Sequence, residues 1–250
     1  MQPKALGTLD YIRSFLAIAL FFLILLIVTP IIVVLLLLSL GQLTNFIISF
    51  FGPIIGRPVL AAAGIRFRIV NRENIPDRPV VFIINHCSTL DLLVILALGL
   101  PQVRFVAKYE LQYNPLFFIL GHGTGQVFIQ RQKTEKAVHR LQKSYNRLQR
   151  KQLSILAAPE GSRKHEGVIG PFKKGPFRMA MDLDYPIVPI FVDGAWKLSF
   201  GGTLLAKKGD VTAYIHPPIA VSAWSLENLE QHIEEIRNSY LKWAGVDQHS

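Results

Sequence analysis

The stretch "VVFIINHCSTLDLLVILAL", residues 80–98, predicts how this chain folds. Its first part, Val80–Asn85, is an apolar run too short for a helix and typical of a strand buried on both faces. Its last part, Thr89–Leu98, is apolar again and long enough for a short helix. A buried strand that leads directly into a helix is the unit from which α/β proteins are built.

The same alternation continues along the rest of the chain. Short apolar runs predict strands at Arg66–Val70, Val80–Asn85, Val103–Ala107, Gln126–Gln130, Ser154–Ala158, Ile187–Val192 and Val211–Ile215. The stretches between them predict helices at Thr89–Leu98, Asn114–Leu120, Thr134–Arg150, Lys174–Asp182 and Leu226–Trp243. The predicted fold class is therefore α/β, with a mixed, largely parallel sheet flanked by helices.

The turn after Val80–Asn85 has two interpretations. Ser88 is a good N-cap, and Asp91 then occupies the third helical position, as in a capping box. Alternatively, Asp91 holds His86 as a base. Residues five apart do not share a helix face, so this pair forms only if His86 lies in the turn and Asp91 in the first helical turn. Capping by Ser88 provides that arrangement, so the two interpretations are compatible.

Polar side chains follow the ends of four successive predicted strands. His86, Lys108 and Arg131 follow three of them, and "PEGSR" (159–163) follows the fourth. Each one taken singly could be an ordinary surface or turn residue. Ligands of open α/β sheets, however, bind beyond the carboxyl ends of the strands. If these strands are parallel, a base, three cations and a carboxylate converge. The sequence therefore predicts a site for an anionic substrate with a hydroxyl group to activate.

The N-terminal part of the chain is a candidate membrane segment. Ser14–Gly56 contains no charged residue, and Phe15–Leu40 is interrupted only by Thr29, Pro30 and Ser39. About 20 apolar residues cross a bilayer core, whereas the apolar region of a signal peptide is only about 7–15 residues long. We therefore expect residues 1–60 to form membrane-anchoring helices and residues 61–250 to form the globular domain.

The second half of this segment is less regular. Residues 46–65, "FIISFFGPIIGRPVLAAAGI", are broken by Gly52-Pro53 and Arg57-Pro58, which favours a helix that dips into the membrane or lies along its surface. Basic residues flank both ends, at Lys4 and Arg13 and at Arg57, Arg66, Arg68 and Arg72. Such flanks favour a hairpin with both ends in the cytoplasm, and a single membrane span is the alternative.

The net charge of the chain indicates which kind of molecule it binds. The chain has 250 residues and a net charge of +10, which suggests an anionic partner such as a phospholipid surface. No zinc-finger spacing or RNA-binding aromatic motif points to nucleic acid. The basic stripe of the helix Thr134–Arg150 is expected to face solvent, with anionic lipid or an acidic acyl carrier as the alternative partner. The single cysteine, Cys87, excludes an intramolecular disulfide.

Five segments in order resemble the motifs of the membrane glycerolipid acyltransferases, over roughly Ile65–Ile219. They are "NHCSTLD" (85–91), "FVAKYEL" (105–111), "GQVFIQR" (125–131), "APEGSR" (158–163) with "GPFKKG" (170–175), and "YPIVPI" (185–190). The chain departs from the family pattern mildly, with Ala158 where phenylalanine is usual and Ser162 where threonine is commoner. The Ser162 change keeps a hydroxyl group.

The resemblance implies a reaction and a set of roles. An acyl group would pass from acyl-CoA or acyl-carrier protein to the free hydroxyl of 1-acyl-sn-glycerol 3-phosphate, without a covalent acyl-enzyme, a cofactor or a metal. His86 would be the general base and Asp91 its orienting partner. The residues implied for the acceptor phosphate and glycerol are Lys108, Arg131, Glu160, Gly161, Ser162 and Arg163. Pro189 would lie near the acyl chain, although a core strand explains it equally well.

Other functions stay open from the sequence. Similar motifs would serve glycerol 3-phosphate, another lysophospholipid or a lyso-aminolipid as acceptor. Ser88 or Cys87 beside His86 could indicate a hydrolase, but the chain has no Gly-x-Ser-x-Gly elbow. A catalytically silent protein that binds anionic lipid is a third possibility. An intact His86–Asp91 pair disfavours it, because binding alone needs no base.

Overall fold

The computed structural model describes residues 6–86, 88–129, 135–161, 169–199 and 203–246. Within these residues the chain forms a seven-stranded sheet with the order β1-β7-β6-β2-β5-β3-β4. The strands are β1 (Ile65–Val70), β2 (Val81–Ile84), β3 (Val103–Lys108), β4 (Val127–Ile129), β5 (Ser154–Ala157), β6 (Ile187–Asp193) and β7 (Gly209–Ile215). Each of the seven predicted strands corresponds to one of them.

The sheet is mixed and largely parallel, as predicted. β2 pairs in parallel with both β5 and β6, and β3 pairs in parallel with β4 and β5. β7 runs antiparallel to β6, and β1 pairs in parallel with β7. The carboxyl ends of β2, β3, β4 and β5 therefore meet at one edge of the sheet, the edge where the sequence places the polar side chains.

Helices cover both faces of the sheet. The helices are α1 (Thr8–Leu38), α2 (Thr44–Ala62), α3 (Leu90–Leu98), α4 (Pro115–Gly123), α5 (Glu135–Arg150), α6 (Lys174–Leu183), α7 (Ala195–Leu198) and α8 (Leu229–Trp243). The four-residue α7 has no counterpart among the predicted helices. The helix predicted from Leu226 begins three residues later, at Leu229.

The position of β2, with helices on both faces of the sheet, explains why its sequence is apolar throughout. Phe82 and Ile84 belong to the core on the side of α2 and α3. Val81 and Ile83 belong to the core on the side of α5, α6 and α8. Successive side chains of a strand point to opposite faces, so a strand covered on both faces must be apolar at every position.

Helix α2 packs against α3 through two glycines. α2 is one helix that continues through Pro53 and Pro58. A Cβ on Gly56 would lie 2.6 Å from the Leu93 carbonyl oxygen, and one on Gly52 would lie 2.9 Å from that of Leu96. The Gly-x-x-x-Gly spacing thus lets the backbones of α2 and α3 pack closer than side chains at these two positions would allow.

The predicted domain boundary at residue 60 falls inside α2. Val59 is 3% exposed and Leu60 is 0% exposed, and both belong to the same core as β2 and α3. Helix α1 packs on α2 in a second apolar cluster that includes Val28, Ile32, Ile47, Phe51 and Ile55. The anchoring helices therefore share a core with the globular part, and the division into two domains stays a prediction.

Among the residues that the structure describes, two helices are long and apolar enough to cross a membrane. They are Thr8–Leu38, which contains an 18-residue window with a mean hydropathy of 3.4, and Thr44–Ala62, which contains one with a mean hydropathy of 1.4. The side chains that α1 leaves exposed are largely apolar; among the large ones are Leu9, Ile12, Phe15, Leu16, Phe22, Leu23, Leu26, Ile27, Ile31, Val34, Leu37 and Leu38. This surface favours membrane association, since water does not stabilise so much exposed apolar area.

The basic residues near the end of α2 and just beyond it have contacts within the fold. Arg57 donates to the carbonyl of Ala97 at 3.2 Å, and Arg72 donates to that of Leu98 at 2.7 Å. These bonds satisfy carbonyls at the end of α3 that have no partner inside the helix. Arg66 and Arg68 both contact Asp210, at 2.7 and 3.4 Å. The flanking charges are therefore only partly available to lipid headgroups.

Candidate active site

Asn85 marks the point where β2 leaves the sheet. Its side chain is 1% exposed and lies beside the neighbouring strand β6. The amide nitrogen donates to the carbonyl of Val192 at 3.0 Å, and the amide oxygen accepts from the N–H of the same residue at 2.7 Å. A side-chain amide has the same donor and acceptor as a peptide group. Asn85 thus extends the pairing of β2 with β6 by one step while the backbone turns away.

His86 and Asp91 meet in the turn that follows. Nδ1 of His86 lies 3.1 Å from Oδ2 of Asp91, and the same oxygen accepts a hydrogen bond from the Ser88 N–H at 2.8 Å. The Ser88 hydroxyl accepts from the N–H of Leu90, the first residue of α3, at 3.1 Å. Ser88 and Asp91 therefore form a reciprocal pair of bonds similar to a capping box, but the N-cap is Thr89, not Ser88, and Asp91 occupies the second helical position instead of the predicted third. One carboxylate satisfies both interpretations of the turn.

The His86–Asp91 contact is close but not fully aligned. Asp91 is almost completely buried, whereas the His86 side chain is 24% exposed. Nδ1–H does not point along the line to Oδ2, so the contact is within ion-pair range without being a well-formed hydrogen bond. Catalytic hydrogen bonds are often poorly aligned without substrate and tighten when it binds. With Nδ1 next to Asp91, Nε2 is the ring nitrogen left for a substrate hydroxyl.

Glu160 supports the histidine from the adjacent strand. It follows β5, which pairs with β2, and it is 4% exposed. Its Oε2 accepts a hydrogen bond from the backbone N–H of His86 at 3.3 Å. The sequence places Glu160 at this edge, but its local pattern does not predict that the carboxylate binds the backbone of His86.

Gly161 lies next to a cation that sequence reasoning missed. Its φ of +65° is in the left-handed region that favours glycine, as the turn interpretation of this residue requires. A Cβ at this position would lie 3.1 Å from Nζ of Lys173. The backbone N–H of Lys173 also donates to the Pro159 carbonyl at 2.9 Å, which holds "GPFKKG" against the loop after β5. The sequence feature that could have identified Lys173 as a site residue is its position within "GPFKKG".

Of the other residues predicted to bind the acceptor, the structure describes only Lys108. Lys108 is the last residue of β3 and is exposed, on the strand beyond β5 as seen from β2. Neighbouring strands are about 4.8 Å apart, so its Cα lies about 10 Å across the sheet from β2. Arg131, Ser162 and Arg163 lie outside the residues that the structure describes, as does Cys87.

Pro189 has a structural explanation within β6. It is buried and pairs with Ile83 of β2, and its carbonyl accepts from the His216 N–H at 2.9 Å on the β7 side. Proline is rare in a central strand because it cannot donate to the ladder. The β6–β7 ladder begins one residue later, at the Ile190–Ile215 pair. Pro189 thus sits where the missing N–H disturbs the pairing least.

Metal ligands are not grouped in the described part of the chain. No set of three or more His, Cys, Asp or Glu residues within it is arranged to hold a metal ion. The chemistry that these residues do offer is that of a base, a carboxylate partner and nearby cations.

Comparisons with known proteins identify the family of the chain. Residues 66–193, just over half of the chain, match the protein-family model described as Acyltransferase. The chain is 28% identical over 197 residues to a 1-acyl-sn-glycerol-3-phosphate acyltransferase of Limnanthes douglasii, covering 78% of this chain and 69% of that protein. It is 35% identical over 150 residues to the chloroplastic 1-acyl-sn-glycerol-3-phosphate acyltransferase BAT2 of Brassica napus, covering 59% and 43%.

A solved structure has the same fold. The crystal structure of the 1-acyl-sn-glycerophosphate (LPA) acyltransferase PlsC from Thermotoga maritima superposes with a TM-score of 0.71. The sequence identity is 23%, and the similarity covers 96% of this chain and 100% of that one. This similarity includes the region of α1 and α2 and confirms the predicted fold class.

Proposed function

Because the chain belongs to the acyltransferase family, we propose that it transfers a fatty acyl group to the free hydroxyl of 1-acyl-sn-glycerol 3-phosphate. The product is phosphatidic acid, the precursor of phospholipids. The observation that carries the proposal is the His86–Asp91 contact of 3.1 Å at the carboxyl edge of parallel strands. The acceptor is the one acted on by the relatives named above.

His86 acts as the general base in the proposed mechanism. The neutral imidazole takes the proton of the acceptor hydroxyl through Nε2. The hydroxyl oxygen attacks the thioester carbonyl of the acyl donor and forms a tetrahedral intermediate. When this intermediate collapses, the carbon–sulfur bond breaks, and the departing sulfur receives the proton from His86. Asp91 holds the imidazole in the required tautomer and stabilises its protonated form.

The acceptor phosphate binds at the loops that follow β3, β4 and β5. We assign Arg131 and Arg163, with Lys108, to this phosphate, because guanidinium and ammonium groups form strong charge-assisted bonds with phosphate oxygens. Gly161 and Ser162 belong to the same loop. Glu160 positions the backbone of His86 and closes the site on the β5 side. Pro189 contributes the buried wall of β6 toward the acyl chain.

The donor is acyl-CoA or acyl-carrier protein. Both carry the acyl group as a thioester on a phosphopantetheine arm, so both present the same electrophilic carbonyl to the hydroxyl. The mechanism requires no cofactor or metal, because a base is present and a thioester needs no Lewis acid.

The apolar helices bring the site to a membrane surface. A lysolipid keeps its acyl chain in the bilayer, so its free hydroxyl stays near the headgroups and the His86 edge must reach that level. The exposed apolar surface of α1 supports insertion into one side of the bilayer, with the catalytic domain on the cytoplasmic face. Exposed basic residues add attraction to anionic headgroups.

A thioester-consumption assay tests the proposal. Purified protein is offered acyl-CoA or acyl-carrier protein together with a panel of acceptors: 1-acyl-sn-glycerol 3-phosphate, glycerol 3-phosphate, a neutral lysophospholipid and a lyso-aminolipid. We expect the fastest release of free thiol with 1-acyl-sn-glycerol 3-phosphate, with phosphatidic acid as the lipid product. Faster consumption with another acceptor would reassign the substrate, and consumption without any acceptor would indicate a thioesterase.

A further inference from the structure

The end of β2 is fastened to β6 by two buried side chains that the mechanism has not used. One is Asn85, whose amide forms two hydrogen bonds with Val192, at 3.0 and 2.7 Å. The other is Tyr240 of α8. Its hydroxyl donates to the Ile83 carbonyl of β2 at 2.8 Å and lies 3.3 Å from the Ile190 carbonyl of β6. Together they bind both strands immediately before His86.

Tyr240 lies far along the chain from the motifs, yet its side chain is buried next to the site. It lies outside the matched segment 66–193, and its ring is 0% exposed among Phe172, Phe191 and Trp243. A buried hydroxyl needs hydrogen-bond partners, and Tyr240 finds them in two strand carbonyls next to the site. Apolar packing alone would be served equally well by phenylalanine, so the hydroxyl has a separate use.

Tyr240 is also electrostatically connected to Glu160. Burial, and to a smaller extent the negative charge of Glu160, raise the pKa of Tyr240 well above its usual range. The hydroxyl therefore stays protonated near neutral pH and can act as a hydrogen-bond donor. Glu160 in turn accepts the His86 N–H at 3.3 Å. Residues 83–86 are thus bonded to β6 through the Asn85 side chain, to α8 through Tyr240 and to the loop after β5 through Glu160.

We propose that Asn85 and Tyr240 are positioning residues that hold the β2 turn so that the His86 imidazole meets Asp91 and the acceptor hydroxyl. They touch no substrate, and they act through the backbone of residues 83–86. The inference rests on the proposed acyl transfer. A base displaced by about 1 Å can lose about 100-fold in rate, so a small movement of this turn matters.

The test compares each residue with a matched control. Tyr240→Phe removes one hydroxyl and keeps the ring. Tyr185→Phe makes the same change at another buried tyrosine, whose hydroxyl has no hydrogen-bond partner in the described part of the chain and which precedes β6 at the opposite edge. Asn85→Ala is compared with Asn74→Ala, which removes one side-chain bond to the Ile215 carbonyl.

The two variants are expected to change kcat and to leave KM nearly unchanged. In Tyr240→Phe and Asn85→Ala we expect kcat to fall by about 10-fold or more with KM for both substrates nearly unchanged, because the base is misplaced while the binding groups stay. The control variants should keep kcat within about twofold of wild type. A double variant should lose less than the product of the two single losses, since both residues hold the same strand end.

A second measurement does not depend on activity. The imidazole resonances of His86, identified in nuclear magnetic resonance spectra by their absence from His86→Ala, should shift in the two variants and stay in place in the controls. Each variant is measured below its own thermal midpoint, so unfolding does not mimic the effect. Unchanged kcat and unchanged His86 resonances in both folded variants would overturn the inference. If the wild-type protein transferred no acyl group, the proposed function would be refuted. The His86 resonances of the variants would still show whether Asn85 and Tyr240 position the imidazole.

Discussion

At the scale of single residues, Oδ2 of Asp91 has two partners. It accepts from the Ser88 N–H at 2.8 Å and lies 3.1 Å from Nδ1 of His86. The hydrogen bond from the Ser88 N–H orients the carboxylate of Asp91 toward His86. This explains why a motif that resembles an ordinary helix start can also carry a catalytic pair.

The first prediction concerns the base. His86→Ala should lower the rate of acyl transfer by about 10²- to 10⁴-fold, which is the usual contribution of a general base. Thermal unfolding and membrane association should stay as in wild type, because the His86 side chain is partly exposed. His139→Ala, an exposed histidine of α5, is the control and should be fully active. Activity of His86→Ala within a few-fold of the control would refute the mechanism.

A second prediction separates capping from pairing. Ser88→Ala removes the hydroxyl that accepts from Leu90, and it should cost about 0.5–2 kcal/mol of stability with a small effect on kcat. Asp91→Asn keeps an oxygen for the Ser88 N–H but removes the negative charge, so kcat should fall steeply with a modest loss of stability. Thermal melts and initial rates of both variants measure this. Equal losses of activity would mean that Asp91 acts only through the cap.

A third prediction concerns the acceptor phosphate. Arg131→Ala and Arg163→Ala should raise KM for 1-acyl-sn-glycerol 3-phosphate by about 10- to 150-fold, since a charge-assisted bond contributes about 1.5–3 kcal/mol. KM for the acyl donor should change little. Lys151→Ala, an exposed cation that precedes β5 at the opposite edge, serves as the control. Parallel increases in both Michaelis constants would assign these arginines to the fold or to the donor's phosphates.

At the scale of elements, the contact between α2 and α3 depends on glycine. A Cβ on Gly56 would lie 2.7 Å from the Ala97 nitrogen as well as 2.6 Å from the Leu93 oxygen, and both atoms are backbone that cannot move aside. Because α3 carries Asp91 in its first turn, the packing of the apolar helix α2 on α3 supports the turn that holds His86 and Asp91.

A fourth prediction follows from that contact. Gly56→Ala should destabilise the protein by about 1–3 kcal/mol, because the added methyl group forces the two helices apart. Gly175→Ala in α6 is the control, since a Cβ there meets nothing within 4 Å, and alanine favours a helix by up to about 1 kcal/mol. Chemical denaturation in detergent or lipid measures both. Equal stability of the two variants would show that α2 and α3 separate without cost.

At the scale of the whole molecule, α1 is attached to the globular part at both ends. Near its start, the Ser14 hydroxyl donates to the Ala206 carbonyl at 3.3 Å and accepts from the Ala206 N–H at 3.0 Å. Near its end, Leu36 lies 3.0 Å from the position of a Cβ on Gly123. Both contacts keep α1 beside the globular part, which disfavours a single span that carries one end of α1 to the far side of the bilayer.

The fifth prediction tests this topology. With Cys87 first replaced by serine, single cysteines at Lys4 and at Arg72 should react with a membrane-impermeant thiol reagent from the same side of sealed vesicles, the cytoplasmic side. The reason is that the N-terminal end of α1 is bonded to the globular part through Ser14. Reaction from opposite sides would establish a single span and leave the catalytic assignment untouched.

The sequence by itself determined those features that depend on neighbours along the chain. The apolar run of β2, the capping pattern of Ser88 and Asp91, and the polar residue after each strand are local, because strand burial and helix capping are decided within a few residues. The carboxyl-edge site then followed from the parallel pairing of β2, β3, β4 and β5.

Only the tertiary structure decided the contacts that join distant parts of the chain. Tyr240 bonds to Ile83 across 157 positions, and Glu160 bonds to His86 across 74, so no periodicity in either segment could indicate the partner. The course of α2 through Pro53 and Pro58 is of the same kind, because packing against α3 outweighs the helix-breaking tendency of proline. Local sequence preferences favour each helix or strand, and packing against distant parts of the chain determines how these elements contact one another.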